Sequence, residues 1–243
     1  MKLTLVVPVY NEENLLREVV PFLFATPLPL ETEWIFIDDK STDKSLAILE
    51  ELSAQFKFKL IKQTTNQGKG AAVIRGFQEA TGDIIMIQDA DFEYSPKDVP
   101  SLLAPLINNE ADVVYGSRFK KNAVQVHRTY HYFVNRFLTL MSNLFSGIYL
   151  TDMETCYKIF RADLLKSMNL KSKRFGIEVE LTAYLGKIHA RIHELPIGYY
   201  PRTRLQGKKI SWKDGVAALK HLVYFNLIVS KEEAFRDLPK RYS

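Results

Sequence analysis

The chain has 243 residues, 47% of them hydrophobic, with 33 Lys+Arg against 28 Asp+Glu for a formal net charge of +5. That length suits one large α/β domain or two small ones, and the apolar share excludes global disorder. A single cysteine, Cys156, excludes an internal disulfide and a cysteine-rich zinc site, and fits a reducing compartment.

Charge is divided unevenly, at net −8 through residue 112 and +13 beyond it. The acidic half suits a cation site. The basic half suits an anionic partner: a phosphate-bearing substrate, an anionic membrane or nucleic acid. Met1-Lys2 leads directly into the strand-like Leu3-Thr4-Leu5-Val6-Val7, so no secretory leader is expected. No apolar run reaches the roughly 18–20 residues that span a bilayer.

Taken in chain order, Leu3 to Val9 predicts a first strand, stopped by Pro8 near its end. Asn11 reads as a helix N-cap, with Glu12, Glu13 and Asn14 in a first turn that favours negative charge. That helix ends before the Thr26-Pro27-Leu28-Pro29 loop. Trp34-Ile35-Phe36-Ile37 is a second strand closing on Asp38 and Asp39, after which Ser41 or Thr42 caps a helix to about Phe56. Lys59 to Gln63 is a third, shorter strand. Asn66-Gln67-Gly68-Lys69-Gly70 is a tight glycine turn opening a helix from Ala71 to Ala80.

Ile84-Ile85-Met86-Ile87 has the continuous apolar pattern of a strand buried on both faces, and it runs out into Asp89-Ala90-Asp91. Pro96 opens a helix through Asn108, and Asp112-Val113-Val114-Tyr115 is a fifth strand closing on Gly116-Ser117-Arg118. This alternation predicts a mostly parallel central sheet flanked by helices, in one domain over 1–243. Beyond residue 119 the pattern changes to amphipathic helices. Tyr130 to Ile148 and Trp212 to Val229 carry apolar residues at steps of three and four. Such helices pack on a sheet or lie on a membrane surface, and the His127, Arg128, Tyr130, His131, Tyr132 flank suits the latter.

In open α/β sheets ligands bind beyond the carboxyl ends of strands. Three such ends carry polar groups here: Pro8-Val9-Tyr10-Asn11-Glu12, Asp38-Asp39 and Asp89-Ala90-Asp91. Each has a plain alternative as a cap or turn, but together they suit a nucleotide. The base would lie against Tyr10, base or ribose groups would meet Glu12 and Asp39, and hard carboxylate oxygens would hold Mg²⁺ or Mn²⁺ on a diphosphate.

These motifs, with Asp38-Asp39-Lys40-Ser41-Thr42-Asp43, Asn66 to Gly70 and Gly116-Ser117-Arg118, stand in an order that resembles glycosyltransferase family 2. The resemblance is to its polyprenyl-phosphate sugar synthases, the dolichyl-phosphate mannose synthase branch. It continues through Thr151-Asp152-Met153-Glu154-Thr155-Cys156-Tyr157-Lys158, Phe175 to Leu181 and Arg202 to Lys209. It implies a nucleotide-diphosphosugar transferase (GT-A-like) fold and inverting, metal-dependent transfer of a hexose from GDP-mannose or UDP-glucose to a polyprenyl or dolichyl phosphate.

By position, the resemblance gives Pro8, Tyr10, Glu12, Ile37, Asp39, Lys69, Asp89 and Ala90 to the donor nucleotide. Asp89, Asp91 and Glu93 become metal ligands, Glu93 standing where the branch often has Gln. Arg118, Arg204 and Lys209 would meet the acceptor phosphate, with Asp91, Arg118 and Arg204 as the catalytic set. Arg202, Lys208 and Arg128 are weaker candidates. A phosphate acceptor is already anionic, so no general base is required, and Asp152 and Glu154 are expected to position cations or the sugar. Glu180 matches a family acidic position, while Gly176 stands where a relative carries Lys. Residues 1–119 would form the donor half and 120–243 the acceptor half of the domain.

Peripheral attachment through 127–148 and 212–229, at the cytoplasmic face of a membrane, completes the expectation. The rival readings are a non-lipid acceptor in cell-surface glycan synthesis and a catalytically inactive nucleotide-binding protein. No glycine-rich phosphate loop or Gly-x-Gly-x-x-Gly follows a strand, which argues against a nucleotidyltransferase and a dinucleotide oxidoreductase. Nucleic acid is not expected as a partner, because acidic strand ends would repel its backbone.

Overall fold

The computed structural model describes residues 1–120, 129–174, 176–201 and 212–243. Seven strands form one sheet: β1 (Lys2–Val9), β2 (Glu31–Asp38), β3 (Lys59–Lys62), β4 (Ile84–Ile87), β5 (Val113–Ser117), β6 (Lys158–Arg161) and β7 (Ile192–Pro196). Their spatial order is β3-β2-β1-β4-β6-β5-β7. The first four are parallel, β7 is parallel to β5, and β6 alone runs antiparallel, wedged between β4 and β5. The mostly parallel α/β sheet expected from the alternation is therefore present. The sequence pattern missed β6 and β7, which lie beyond residue 119, where the regular strand–helix alternation gives way.

All four residues of β4 are fully buried, as an Ile-rich central strand covered on both faces requires. Helices α1 (Leu16–Ala25), α2 (Ser45–Ser53), α3 (Lys69–Glu79) and α4 (Val99–Ile107) connect the parallel strands. Helix α3 lies so close to β1 that a Cβ on Gly76 would stand 2.2 Å from Val6 Cγ1. Only glycine fits there.

The remaining helices are α5 (Thr129–Ser146), α6 (Ala162–Ser167), α7 (Ile177–Leu185), α8 (Trp212–Val223) and α9 (Lys231–Ala234). Every residue of α7 is buried. It packs between α5 and α8, which also pack on one another. Helix α8 passes into a π-helical turn, Tyr224–Ile228, where an unbroken α-helix to Val229 was expected.

Three further expectations are corrected. Asn11 is not an N-cap: α1 begins five residues later, and Asn11 sits in the left-handed region at φ 51°. Ser41 and Thr42 do not cap α2, which begins at Ser45. Pro96 opens a single 3-10 turn, Pro96–Asp98, before α4 starts. Asn11, Ser41 and Thr42 bond to one another across two loops instead, and Ser95 caps the Pro96 turn by accepting from the Lys97 amide.

Candidate active site

The β1 and β2 ends are stitched together by their own side chains. Asn11 N–H donates to Ser41 Oγ at 3.1 Å, and Thr42 N–H donates to Asn11 Oδ1 at 2.8 Å. Glu12 N–H donates to Ser45 Oγ at 2.8 Å, and Lys44 N–H donates to Glu13 Oε2 at 2.9 Å. These contacts fix where Tyr10 and Glu12, both half-buried, stand at the sheet edge. Pro8 is half-buried nearby, whereas Ile37 and Ala90 are buried, Ile37 beneath Gly76.

Asp39 builds the next wall. Its carboxylate accepts from Gln63 Nε2 at 2.7 Å, Asn66 Nδ2 at 3.0 Å, Gln67 N–H at 2.9 Å and Gly68 N–H at 2.7 Å. Burial raises the Asp39 pKa, against the lowering effect of the two backbone donors. Gly68 adopts φ 93°, a conformation suited to glycine. Gly70 and Ala71 then donate their amides to the carbonyls of Arg174 and Lys173 at 3.2 and 2.9 Å. The start of α3 is thus closed by chain rather than left as a phosphate cradle.

At the β4 end, Asp89 faces the Lys69 ammonium at 2.9 Å, and the same ammonium lies 3.6 Å from Glu178 Oε1 on α7. Burial would lower the Lys69 pKa, but Asp89, Cys156 and Glu178 outweigh it and hold the ammonium well above its ordinary range. Asp91 is buried, and its Oδ1 accepts from Glu93 N–H at 2.9 Å. Glu93 Oε2 accepts from Tyr199 Oη at 2.9 Å. Among the described residues no three His, Cys, Asp or Glu side chains are gathered as a metal centre. The two aspartates still offer hard oxygen donors of the kind that suits Mg²⁺ or Mn²⁺ together with a diphosphate.

Arg118, at the end of β5, is gripped by Asp152. Nε reaches Oδ2 and Nη2 reaches Oδ1, each at 2.7 Å, and the Arg118 amide adds a bond at 3.0 Å. Burial opposes the charge on Arg118, but Asp152 prevails and raises its pKa well above the ordinary value. The guanidinium carbon also lies 5.1 Å from the centre of the Tyr199 ring. Asp152 therefore positions a cation, as the phosphate chemistry suggested. Its loop is held from below by Glu194, which accepts from the amides of Thr151 and Asp152 at 2.8 and 3.0 Å.

Residues 202–211 and 121–128 lie outside the described residues, and with them Arg202, Arg204, Lys208, Lys209 and Arg128. The structure adds four residues that the sequence reading did not single out: Tyr199, Glu178, Glu194 and the buried Lys158. Tyr199 touches both Glu93 and Arg118, and its place just ahead of the basic 202–209 stretch was the available signal. Nothing in the sequence marks Lys158 as buried.

The family profile described as glycosyl transferase family 2 matches residues 4–168. A dolichol-phosphate mannosyltransferase from Pyrococcus furiosus is 36% identical over 121 residues, covering 50% of this chain and 34% of that protein. An undecaprenyl-phosphate mannosyltransferase from Micrococcus luteus is 30% identical over 217 residues, covering 83% of this chain and 85% of that protein. Among solved structures, glucosyl-3-phosphoglycerate synthase from Mycobacterium tuberculosis, crystallised with Mn²⁺ and UDP, superposes with a TM-score of 0.70 at 19% identity. That match covers 93% of this chain and 80% of the other, and shows a shared GT-A-like fold. The chain thus spans about a third of one mannosyltransferase relative and most of the other. With the profile match and the Micrococcus relative together, the chain belongs to glycosyl transferase family 2.

Proposed function

We propose that this chain transfers a hexose, with inversion, from a nucleotide-diphosphosugar to a polyprenyl phosphate. The observation that carries the reading is a link between two unlike groups. Asp89 and Asp91 form an acidic strand end, and Arg118, on its Asp152 clamp, is joined to the neighbouring Glu93 through Tyr199. The names of the two mannosyltransferase relatives support a polyprenyl acceptor for this chain as well. We read residues 1–243 as one domain, 1–119 serving the donor and 120–243 the acceptor.

In the reaction, an acceptor phosphate oxygen forms the new bond to the anomeric carbon. The bond from that carbon to the diphosphate breaks, and the nucleoside diphosphate leaves with the electron pair. No proton has to be removed from the nucleophile, so positioning and charge are the contributions required. Tyr10 and Glu12 would receive the base and ribose, and Pro8, Ile37, Asp39, Lys69 and Ala90 would frame that pocket. Asp89 and Asp91, with Glu93 beside them, would hold a divalent cation. When bound, that Mg²⁺ or Mn²⁺ would neutralise charge on the departing diphosphate. Arg118, its fork held by Asp152, would act on the acceptor phosphate through its charge, with Arg204 and Lys209, Arg204 offering the planar fork that matches a phosphate.

The acceptor's lipid tail fits an exposed apolar face. Phe133, Phe137, Leu140 and Leu144 line one side of α5, with Leu144 69% exposed, while Val223, Leu227 and Ile228 stand exposed at the end of α8 and its π turn. No described helix is long and apolar enough to cross a membrane. The reading is therefore peripheral attachment to the cytoplasmic face of a membrane, driven by apolar area and by attraction to anionic lipid.

The test is a panel of GDP-mannose, UDP-glucose and UDP-N-acetylglucosamine with Mn²⁺ and a short polyprenyl phosphate. Formation of a lipid-phosphate sugar with one donor is expected. Turnover only with a water-soluble acceptor would move the reading to glycan synthesis, and binding of nucleotide without turnover would leave an inactive nucleotide-binding protein.

A further inference from the structure

Helix α7 is buried throughout, yet it carries two carboxylates. Glu180 is satisfied by the amides of Lys171 and Ser172 at 2.7 and 2.8 Å. Glu178 is not. Its Oε1 lies 3.6 Å from Lys69 Nζ, while its Oε2 is sealed from solvent with no hydrogen-bond partner among the described residues. Glu154 Oε1, an electrostatic neighbour in the 151–157 loop, is sealed and unpartnered in the same way.

Ionised carboxylates only accept hydrogen bonds, so two of them cannot satisfy each other. One proton held between them satisfies both. The charges facing Glu154 are Glu178 from α7, Lys158 from β6, Arg118 from the end of β5 and Asp152 from its own loop. Arg118 is committed to Asp152. Lys158 donates to the carbonyls of Met153 and Thr155, on either side of Glu154, and burial lowers its pKa. Neither cation is therefore bonded to Glu154. Burial first, and then the charge of Glu178, push the Glu154 carboxyl up to about 7.

We propose that Glu154 carries a proton that it shares with Glu178, and that the pair is a positioning element keeping Glu178 Oε1 on the Lys69 ammonium that holds Asp89. Only its last link, Asp89 as a donor-side residue, rests on the proposed function. A side chain in the acceptor-side loop then steers an aspartate on the donor side. Removing the proton sets two like charges against one another across the sealed Glu154 Oε1 and Glu178 Oε2, and draws Glu178 away from Lys69.

Melting temperatures of the whole chain from pH 5 to 8.5 test this for the wild type, Glu154→Gln and Glu154→Leu. A carboxyl whose folded pKa lies above its unfolded value binds its proton more tightly when folded. Its contribution to stability therefore falls as pH rises from the ordinary carboxyl range to about 7, and levels off beyond. Gln at 154 keeps an N–H donor at every pH and does not titrate. Glu154→Gln should gain on the wild type across that window by several degrees, and Glu154→Leu, lacking a donor, should melt below Glu154→Gln throughout. Parallel wild-type and Glu154→Gln curves would overturn the proposal, as would Leu performing as well as Gln.

The positioning role has its own readout in calorimetric binding of UDP and of GDP with Mn²⁺ at pH 6.5. Glu154→Leu should weaken the nucleotide that binds roughly tenfold and Glu154→Gln should restore it; equal affinities would remove the link to Asp89. Melting needs no donor. Failure of the wild type to bind either nucleotide would count against the proposed function and leave the shared proton to be judged by the melting curves.

Discussion

Arg118 and Asp152 form a bidentate ion pair in which both side chains are withdrawn from water, at 2.7 Å for each of two parallel bonds. A pair of this kind costs desolvation to bury and is most damaging when half of it is removed. Asp152→Ala should therefore lower stability by about 3–5 kcal/mol, since it leaves a buried guanidinium without its counter-charge. Replacing both members by apolar residues (Arg118→Met with Asp152→Leu) should recover much of that stability. Transfer should not return, because the acceptor phosphate then lacks the charge of Arg118. Chemical denaturation and a transfer assay separate the two effects.

Asp91 presents the opposite case. It is buried at the rim of β4, and its Oδ1 takes a local bond from the Glu93 amide. Asp91→Ala should leave the melting temperature within a few degrees of wild type while abolishing metal-dependent transfer. Retained transfer would sink the assignment of the acidic strand end. A loss of Mn²⁺-dependent nucleotide binding measured alongside would connect the defect to the donor.

Gly176 shows how α8 is seated. A Cβ there would stand 2.1 Å from His221 Nδ1, so the imidazole occupies the space a side chain would need. Burial lowers the pKa of His221, which keeps the packed ring neutral over a wider pH range. Gly176→Ala should destabilise the chain by about 1–3 kcal/mol, as overpacking does. Adding His221→Ala should restore part of that loss, whereas independent sites would simply add their effects. The double-mutant cycle reads the contact directly.

The parallel half of the fold was legible because its apolar strands alternate regularly with helices. The acidic strand ends were legible with it: a buried Ile-Ile-Met-Ile run has to stop somewhere, and here it gives way to Gln88 and Asp89. What sequence could not show lies in contacts between distant segments. Asn11 looked like a cap because Asn caps helices, yet its partners are Ser41 and Thr42, thirty residues away. Lys158 closes a motif of the family resemblance, but nothing in that motif places its ammonium under the Tyr115 ring, 4.9 Å from the ring centre. The Glu178–Lys69–Asp89 chain joins three elements, and no local pattern records it.

The apolar face of α5 makes a prediction that is independent of chemistry. Leu140 and Leu144 stand exposed while Leu138 and Ser142 on the opposite side are buried. Glu at 140 and 144 together should leave the melting temperature near wild type, since neither side chain supports the core. Sedimentation with anionic liposomes should fall severalfold. Unchanged sedimentation would show that this face is not what meets the lipid.

The one reversed strand also has a consequence for how the two sides of the site can change. In the parallel half, site residues sit on segments that leave a strand, as Asp39 leaves β2 and Asp89 leaves β4. Because β6 runs the other way, with Met86 opposite Ile159 and Tyr115 opposite Lys158, the 151–157 segment arrives at the same rim by entering a strand. Its length can vary upstream of Thr151 without shifting the register of β1, β2, β3 or β4. On the proposed roles, contacts on the acceptor side can then change while the strand pairing beneath the donor side stays as it is.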